Sequence, residues 1–264
     1  MQNSRPANLR QFGFRFGRGG THARRTMMLK ELSTLLMYVN EPASSTTDYR
    51  RAIIENNCLD KRSSANRRMT FTYLVQLYSL NPDEVLFRAL RFFWDRDEAG
   101  RPLIAFLCAY ARDAILRNSA GFVLSMPEGE VLSKASFESY TDEPEPGRYS
   151  KCTLEAIVSR LSSTWTQSGH LQGRRNKVRI KASATPGSAA YALLLGYLQG
   201  LRGIALFESE YAKLLDSSVE QVVARAEEAA RSGWIIVNRI GKVVEVLFPR
   251  LLTEQETEWV REQA

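Results

Sequence analysis

The chain is poor in the residues that build metal and redox centres. Its 264 residues include three cysteines, Cys58, Cys108 and Cys152, and two histidines, His22 and His170. The cysteines are odd in number, far apart and never in a CxxC pair, which argues against a disulfide framework or a zinc knuckle and fits a reducing compartment. Neither histidine has a cysteine or carboxylate at ligand spacing, so no metal is expected. No GxxxxGK[ST] phosphate loop is present, and Phe16-Gly17-Arg18-Gly19-Gly20 lacks the preceding strand of a dinucleotide fold. Asp95, Asp97 and Glu98 fall where a helix ends and read as a solvated turn rather than a magnesium site. The expectation is a non-enzymatic protein without a cofactor.

Long apolar runs are also missing. Residues 102–124 are interrupted by Arg112, Asp113 and Arg117, and residues 189–207 by Gln199, Arg202 and glycines. Neither reaches the ~20 apolar residues of a membrane span, so both read as buried helices. The basic N-terminus lacks a following apolar segment, which predicts no secretory signal. A cytoplasmic location without a membrane partner follows as the expectation.

Acid is absent from the first 30 residues, which hold Arg5, Arg10, Arg15, Arg18, Arg24, Arg25 and Lys30. These seven cations account for the whole net charge of +7, leaving the rest of the chain neutral. A basic end on a neutral body recruits polyanions without selecting among them. Residues 1–25 alternate Arg, Gly and Phe with neither helical nor strand period, which predicts a flexible basic arm.

What is present is helical periodicity. With 44% hydrophobic and 25% charged residues the composition is that of an ordinary globular protein. The predicted fold is mainly α, a helical globular protein with helix-turn-helix elements and a small, winged-helix-like C-terminal β-hairpin. Apolar spacing predicts helices over 26–39, 48–56, 67–80, 84–95, a buried one from about 103, then 150–167, 186–207, 208–215 and 219–231. Residues 234–248 (WIIVNRIGKVVEVLF) read as two strands meeting around 239–242. Acids and prolines in 125–149 suggest a linker, so the predicted division is an arm (1–25), an N-terminal helical domain (26–146) and a C-terminal one (147–264).

Three basic constellations stand out. Helix 48–56 would support helix 66–80, whose N-terminal end carries Lys61, Arg62, Arg67 and Arg68, the placement a DNA-reading helix needs. An ordinary helical hairpin with a solvated basic end has the same sequence signature. Arg174, Arg175, Lys177, Arg179 and Lys181 crowd five cations into eight residues, in a loop or short hairpin. On a strand, Lys177, Arg179 and Lys181 would share one face and Val178, Ile180 and Ala182 the other. A solvated charge run is the alternative. Arg239 and Lys242 would sit at the tip of the C-terminal hairpin, where two cations are too few to establish binding and a structural role is expected.

Several segments, taken in order, resemble the BrxA family of BREX bacteriophage-exclusion systems: Met28-x-x-Glu31-Leu32, 49–59 (YRRAIIENNCL), 87–90 (FRAL), 101–117 (RPLIAFLCAYARDAILR), 163–173 (STWTQSGHLQG) and 191–207 (YALLLGYLQGLRGIALF). None is a catalytic fingerprint. The resemblance implies a compact helical protein that binds double-stranded DNA beside a DNA methyltransferase and an AAA+ ATPase. It carries over no site residue, and the Arg-rich N-terminus is not part of it. The expectation is a non-catalytic DNA-binding subunit. A scaffold recruiting the methyltransferase or ATPase is the alternative, and an RNA-binding helical protein comes third.

Overall fold

Helix starts in this chain are marked by Ser, Thr and Pro. The computed structural model describes residues 9–241 and 243–262. In chain order the helices are α1 (Leu29–Tyr38), α2 (Thr46–Ile54), α3 (Ser64–Tyr78), α4 (Val85–Trp94), α5 (Arg101–Arg112), α6 (Ala114–Asn118), α7 (Ala120–Ser125), α8 (Lys134–Asp142) and α9 (Lys151–Gln167). The hairpin β1 (Leu171–Gln172) and β2 (Val178–Arg179) follows, then α10 (Pro186–Leu198), α11 (Ile204–Phe207), α12 (Glu210–Lys213) and α13 (Val219–Arg231). A second hairpin, β3 (Ile236–Ile240) and β4 (Val243–Leu247), precedes α14 (Glu254–Arg261). The protein is therefore mainly α with a C-terminal hairpin, as its periodicity predicts.

Capping explains where these helices begin. Ser45 caps α2 and Asp48 accepts the Ser45 N–H in return, which makes Asp48 the third residue of a capping box. Ser63, Ser150 and Ser218 cap α3, α9 and α13 through their hydroxyls, and Thr185 caps α10 with Pro186 in its first turn.

α10 lies at the centre. Every residue from Gly187 to Leu198 is buried, the pattern of a helix surrounded on all sides. It packs against α4 and α5 from the first half of the chain and against α12 and α13 from the second. Trp165 of α9 packs at 4.7 Å, tilted by 57°, against Phe106 of α5, and its ring N–H donates to Ser119 Oγ at 2.9 Å. One continuous core thus runs from Leu9 to Val260, and the predicted boundary near residue 147 does not separate two cores.

Three expectations change in detail. The apolar stretch after residue 101 is three helices, because Asp113 leaves the helical conformation and caps α6 by accepting the Leu116 N–H. The stretch after Pro186 breaks at Gly200 and Gly203, whose positive φ angles end α10 and turn the chain into α11. The acidic segment 125–149 is more than a linker: it contains α8, capped by Ser133, and residues 129–132 pair with β2.

The largest correction concerns the N-terminal segment. Residues 1–8 lie outside the described residues, but 9–25 are built into the body. Phe12 and Phe14 are fully buried, Phe12 against Trp259 and Phe14 edge-on to Tyr211, each at 6.3 Å. The backbone joins in: Leu86 N–H donates to Phe12 O at 3.0 Å, Arg15 N–H to Ala111 O at 3.3 Å, and Arg117 to Arg15 O at 3.0 Å. Arg112 reaches Gly13 O and Glu84. Phe packing, not period, orders this stretch.

Candidate nucleic-acid interface

α3 buries Thr70, Leu74, Leu77 and Tyr78 and turns Ala65, Arg68, Met69 and Thr72 to solvent, the three-and-four spacing of an amphipathic helix. Beside this exposed face runs the turn of residues 20–24. Arg24 is exposed there, and Arg25 lays its guanidinium over the Tyr73 ring at 5.0 Å. Between turn and helix lies a cleft of about 410 Å³ whose walls include Gly20, Arg24, Arg68, Thr72 and Gln76. A second cleft of about 280 Å³, walled by Arg15, Gly17, Gly19 and Arg112, shares Gly20 and Gln76 with the first. The two form one groove along the N-terminal segment. Among the described residues, no carboxylate lines either cleft.

The cations expected at the start of α3 fall into two groups. Arg62 and Arg68 are exposed and have no ion-pair partner among the described residues, whereas Lys61 holds Glu31 of α1 at 3.1 Å. Arg67 is half-buried, with its Nε unpartnered. The loop from α2 to α3 spans nine residues, 55–63, longer than the 3–4-residue turn of a helix-turn-helix. The pair is therefore a helical hairpin with a wide loop, and α3 presents its basic surface together with the N-terminal segment instead of with α2.

The second basic run also divides. Arg174 and Arg175 are exposed at the tip of the β1–β2 hairpin, and Lys181 is exposed beyond it. Lys177 turns back to donate to Gly173 O at 2.8 Å. Arg179 contradicts the expectation of a phosphate contact. Its side chain is buried and makes a bidentate pair with Asp216 at 2.7 and 2.8 Å, so the expected face is reversed at this position. The first turn of α1 holds Lys61 through Glu31 and meets the end of α9 through the Leu29 N–H to Gln167 Oε1 at 3.4 Å.

α12, a five-residue connection, α13 and the β3–β4 hairpin follow the order of a winged-helix unit. Among the described residues its outer surface mixes both signs of charge. α13 exposes Glu220, Arg225 bonds to Glu228 at 2.8 Å, and Arg239 faces Glu227 at 3.8 Å. Lys242 lies outside the described residues.

No protein-family model matches the chain, and no curated protein matches it at a significant level.

One constellation is invisible to sequence spacing. His22 Nδ1 lies 2.9 Å from Asp113 Oδ2, and His22 Nε2 lies 3.0 Å from Thr164 Oγ1, which also accepts the Met27 N–H at 2.9 Å. Carboxylate, imidazole and hydroxyl stand in the order of a hydrolase triad. All three are sealed from solvent, and the hydroxyl is already engaged by the backbone. Burial would push the Asp113 carboxyl up, but His22 and the N–H groups of Leu116 and His22 hold it below the usual carboxylate range. A Cβ at Gly20 would collide with that carboxylate, so glycine is required where the segment crosses it. The cluster pins the N-terminal segment between α5 and α9.

His170 is likewise structural: Nε2 donates to Leu214 O at 2.9 Å and Nδ1 meets Ser168 Oγ at 2.8 Å. Burial holds its imidazole neutral, well below the ordinary 6.5. Asp97, expected in a solvated turn, is buried and accepts the N–H groups of Gly100 and Gly187 at 3.0 and 2.8 Å. Among the described residues, no group of three His, Cys, Asp or Glu side chains is placed to hold a metal, and no helix is long and apolar enough to cross a membrane.

Proposed function

We propose that this protein is a non-catalytic, cytoplasmic subunit that binds double-stranded DNA in a BREX phage-defence system, as its resemblance to the BrxA family implies. It grips the phosphate backbone along the groove between α3 and residues 15–24, with the Arg174–Arg175 hairpin tip as an additional contact. The observation that carries this reading is the acid-free lining of that groove, with Arg15, Arg24 and Arg68 around it. Cations without neighbouring carboxylates are free to displace condensed counterions, and glycine-lined walls let a sugar-phosphate chain approach the backbone closely. Thr72 and Gln76 add uncharged donors at the same surface. The other subunits that the family resemblance implies are a DNA methyltransferase and an AAA+ ATPase.

The test is a salt titration of binding to a labelled duplex, comparing the native chain with Arg24→Ala/Arg68→Ala and Arg174→Ala/Arg175→Ala. The slope of log affinity against log salt should become shallower by about 0.9 for each phosphate that the variant no longer neutralises. Equal affinity and slope in all three proteins would refute the groove assignment. Preference for single-stranded or structured RNA over the duplex would replace it with the RNA reading.

A further inference from the structure

The winged-helix-like unit carries a surface that the DNA reading leaves unused. Between α13 and the β3–β4 hairpin lies an open groove of about 570 Å³, within the ~300–1,000 Å³ range of ligand clefts. Its floor is apolar: Val219 and Val223, four residues apart on one stripe of α13, with Ile204 of α11 and Val244 of β4. Ile204 is 50% exposed, an uncommon state for a large aliphatic side chain in a chain that buries most of them. Ala224 leaves room at the mouth. Glu220 and Glu227 stand along the α13 rim, seven residues and so two helical turns apart. Among the described residues Arg239 is the cation of the lining, and it is turned toward Glu227 at 3.8 Å, which leaves Glu220 as the more open of the two carboxylates. The Glu220 carboxylate is held below its usual range by its own backbone N–H and the Ser218 hydroxyl, so it is ionised at neutral pH.

We infer that this groove docks an amphipathic helix of a partner protein, its apolar side chains on the Val219–Val223 stripe and its Lys or Arg residues against Glu220 and Glu227. Charge decides among occupants. Duplex DNA and anionic lipid surfaces carry the same sign as the two rim carboxylates and would be repelled from them. A helix suits the space because anchors at i and i+4 match the rise between Val219 and Val223, and because the two carboxylates accept cations spaced by two turns. The inference does not rest on DNA binding, since it concerns a surface with a different lining and the opposite charge.

The experiment uses the full chain without DNA and two labelled peptides of about five helical turns (~18 residues). One repeats Leu and Lys in an amphipathic pattern, the other Leu and Glu. The Leu/Lys peptide should bind, and its affinity should fall about tenfold or more in Val223→Asp and in Glu220→Lys/Glu227→Lys, a change of about 1.4 kcal/mol per decade. The Leu/Glu peptide should gain affinity in the charge-reversed variant. Glu220 is exposed, whereas Val223 is half-buried against the core, so circular dichroism and thermal melting on each variant separate lost docking from lost folding, and Glu220→Lys/Glu227→Lys repeats the test without removing an apolar contact. Duplex affinity should be kept in Val223→Asp. Binding of both peptides alike, or undiminished Leu/Lys binding in Val223→Asp, would overturn the inference. Loss of duplex affinity in Val223→Asp would assign the groove to DNA instead. A native dimer dissolved by Val223→Asp in sedimentation would assign it to a second copy of the chain.

Discussion

Two grooves in this protein are built alike and lined in opposite ways. Each lies between an exposed helix and an adjoining segment, α3 with residues 15–24 in one case and α13 with the β3–β4 hairpin in the other. The first is walled by arginines, glycines and uncharged donors without a carboxylate; the second is apolar with glutamates on its rim. By order of elements the second is the DNA reader, because a helix followed by a wing is how winged-helix proteins approach a duplex. By the chemistry of the exposed side chains the first is the one we propose for DNA. Backbone topology offers a surface, and charge selects what can occupy it.

The contrast can be broken most severely at the N-terminal segment. Deleting residues 1–25 should abolish cooperative unfolding in urea, since it removes Phe12, Phe14 and His22 from the core; a truncated chain that melts normally would return the segment to a solvated arm. His22→Ala should cost about 3–5 kcal/mol, because it empties the space of a fully buried ring and takes the imidazole from Asp113, which keeps only its backbone N–H donors. Arg179→Ala should approach that range, by the same argument for Asp216, while Arg174→Ala changes stability by less than ~0.5 kcal/mol. Denaturant midpoints would show whether two cations five residues apart differ this way.

On the binding side, Arg24→Glu/Arg68→Glu should lower duplex affinity about tenfold or more at low salt, whereas Glu220→Lys/Glu227→Lys should leave it within about a factor of three. Similar losses in both would erase the distinction between the grooves. The smallest expected effect is on pH dependence. The folded value of His170 lies below that of the unfolded chain, so the unfolded state takes up the proton first and stability falls as pH drops below about 6.5. Asp113 is also depressed, so its contribution is complete above the usual carboxylate range and is lost on further acidification through it. Thermal melting against pH should show the two stages, and His170→Asn should remove the earlier one.

Local rules carried the reading of the helices well. Ser63, Ser150 and Ser218 cap where serines before apolar runs predict caps, and the strand pair after Gly233 forms with its turn at Gly241. What escaped detection depends on partners distant along the chain. Asp113 reads as a charge interrupting a helix because its partner, His22, is 91 residues away. Arg179 reads as one more surface cation because Asp216 is 37 residues away. Phe12 and Phe14 have no periodic neighbours, so nothing local predicts their burial. Within the groove, Arg68 was legible as a candidate from its place on a basic helix end. Arg15 and Arg24 were legible only as net charge, since their positions follow from the docking of the segment that bears them.

That docking has a consequence for synthesis. Residues 9–28 leave the ribosome well before their partners, since His22 and Met27 need Thr164, and Phe12 closes against Trp259. The N-terminal segment must wait for residues more than 130 positions further along. Until α14 has emerged, aromatic and arginine side chains of the N-terminal segment remain unsheltered, in a protein whose closing contacts are among the longest-range it makes. Arg24, which flanks His22 in the segment, therefore reaches its place beside α3 only after Thr164 of α9 has been made.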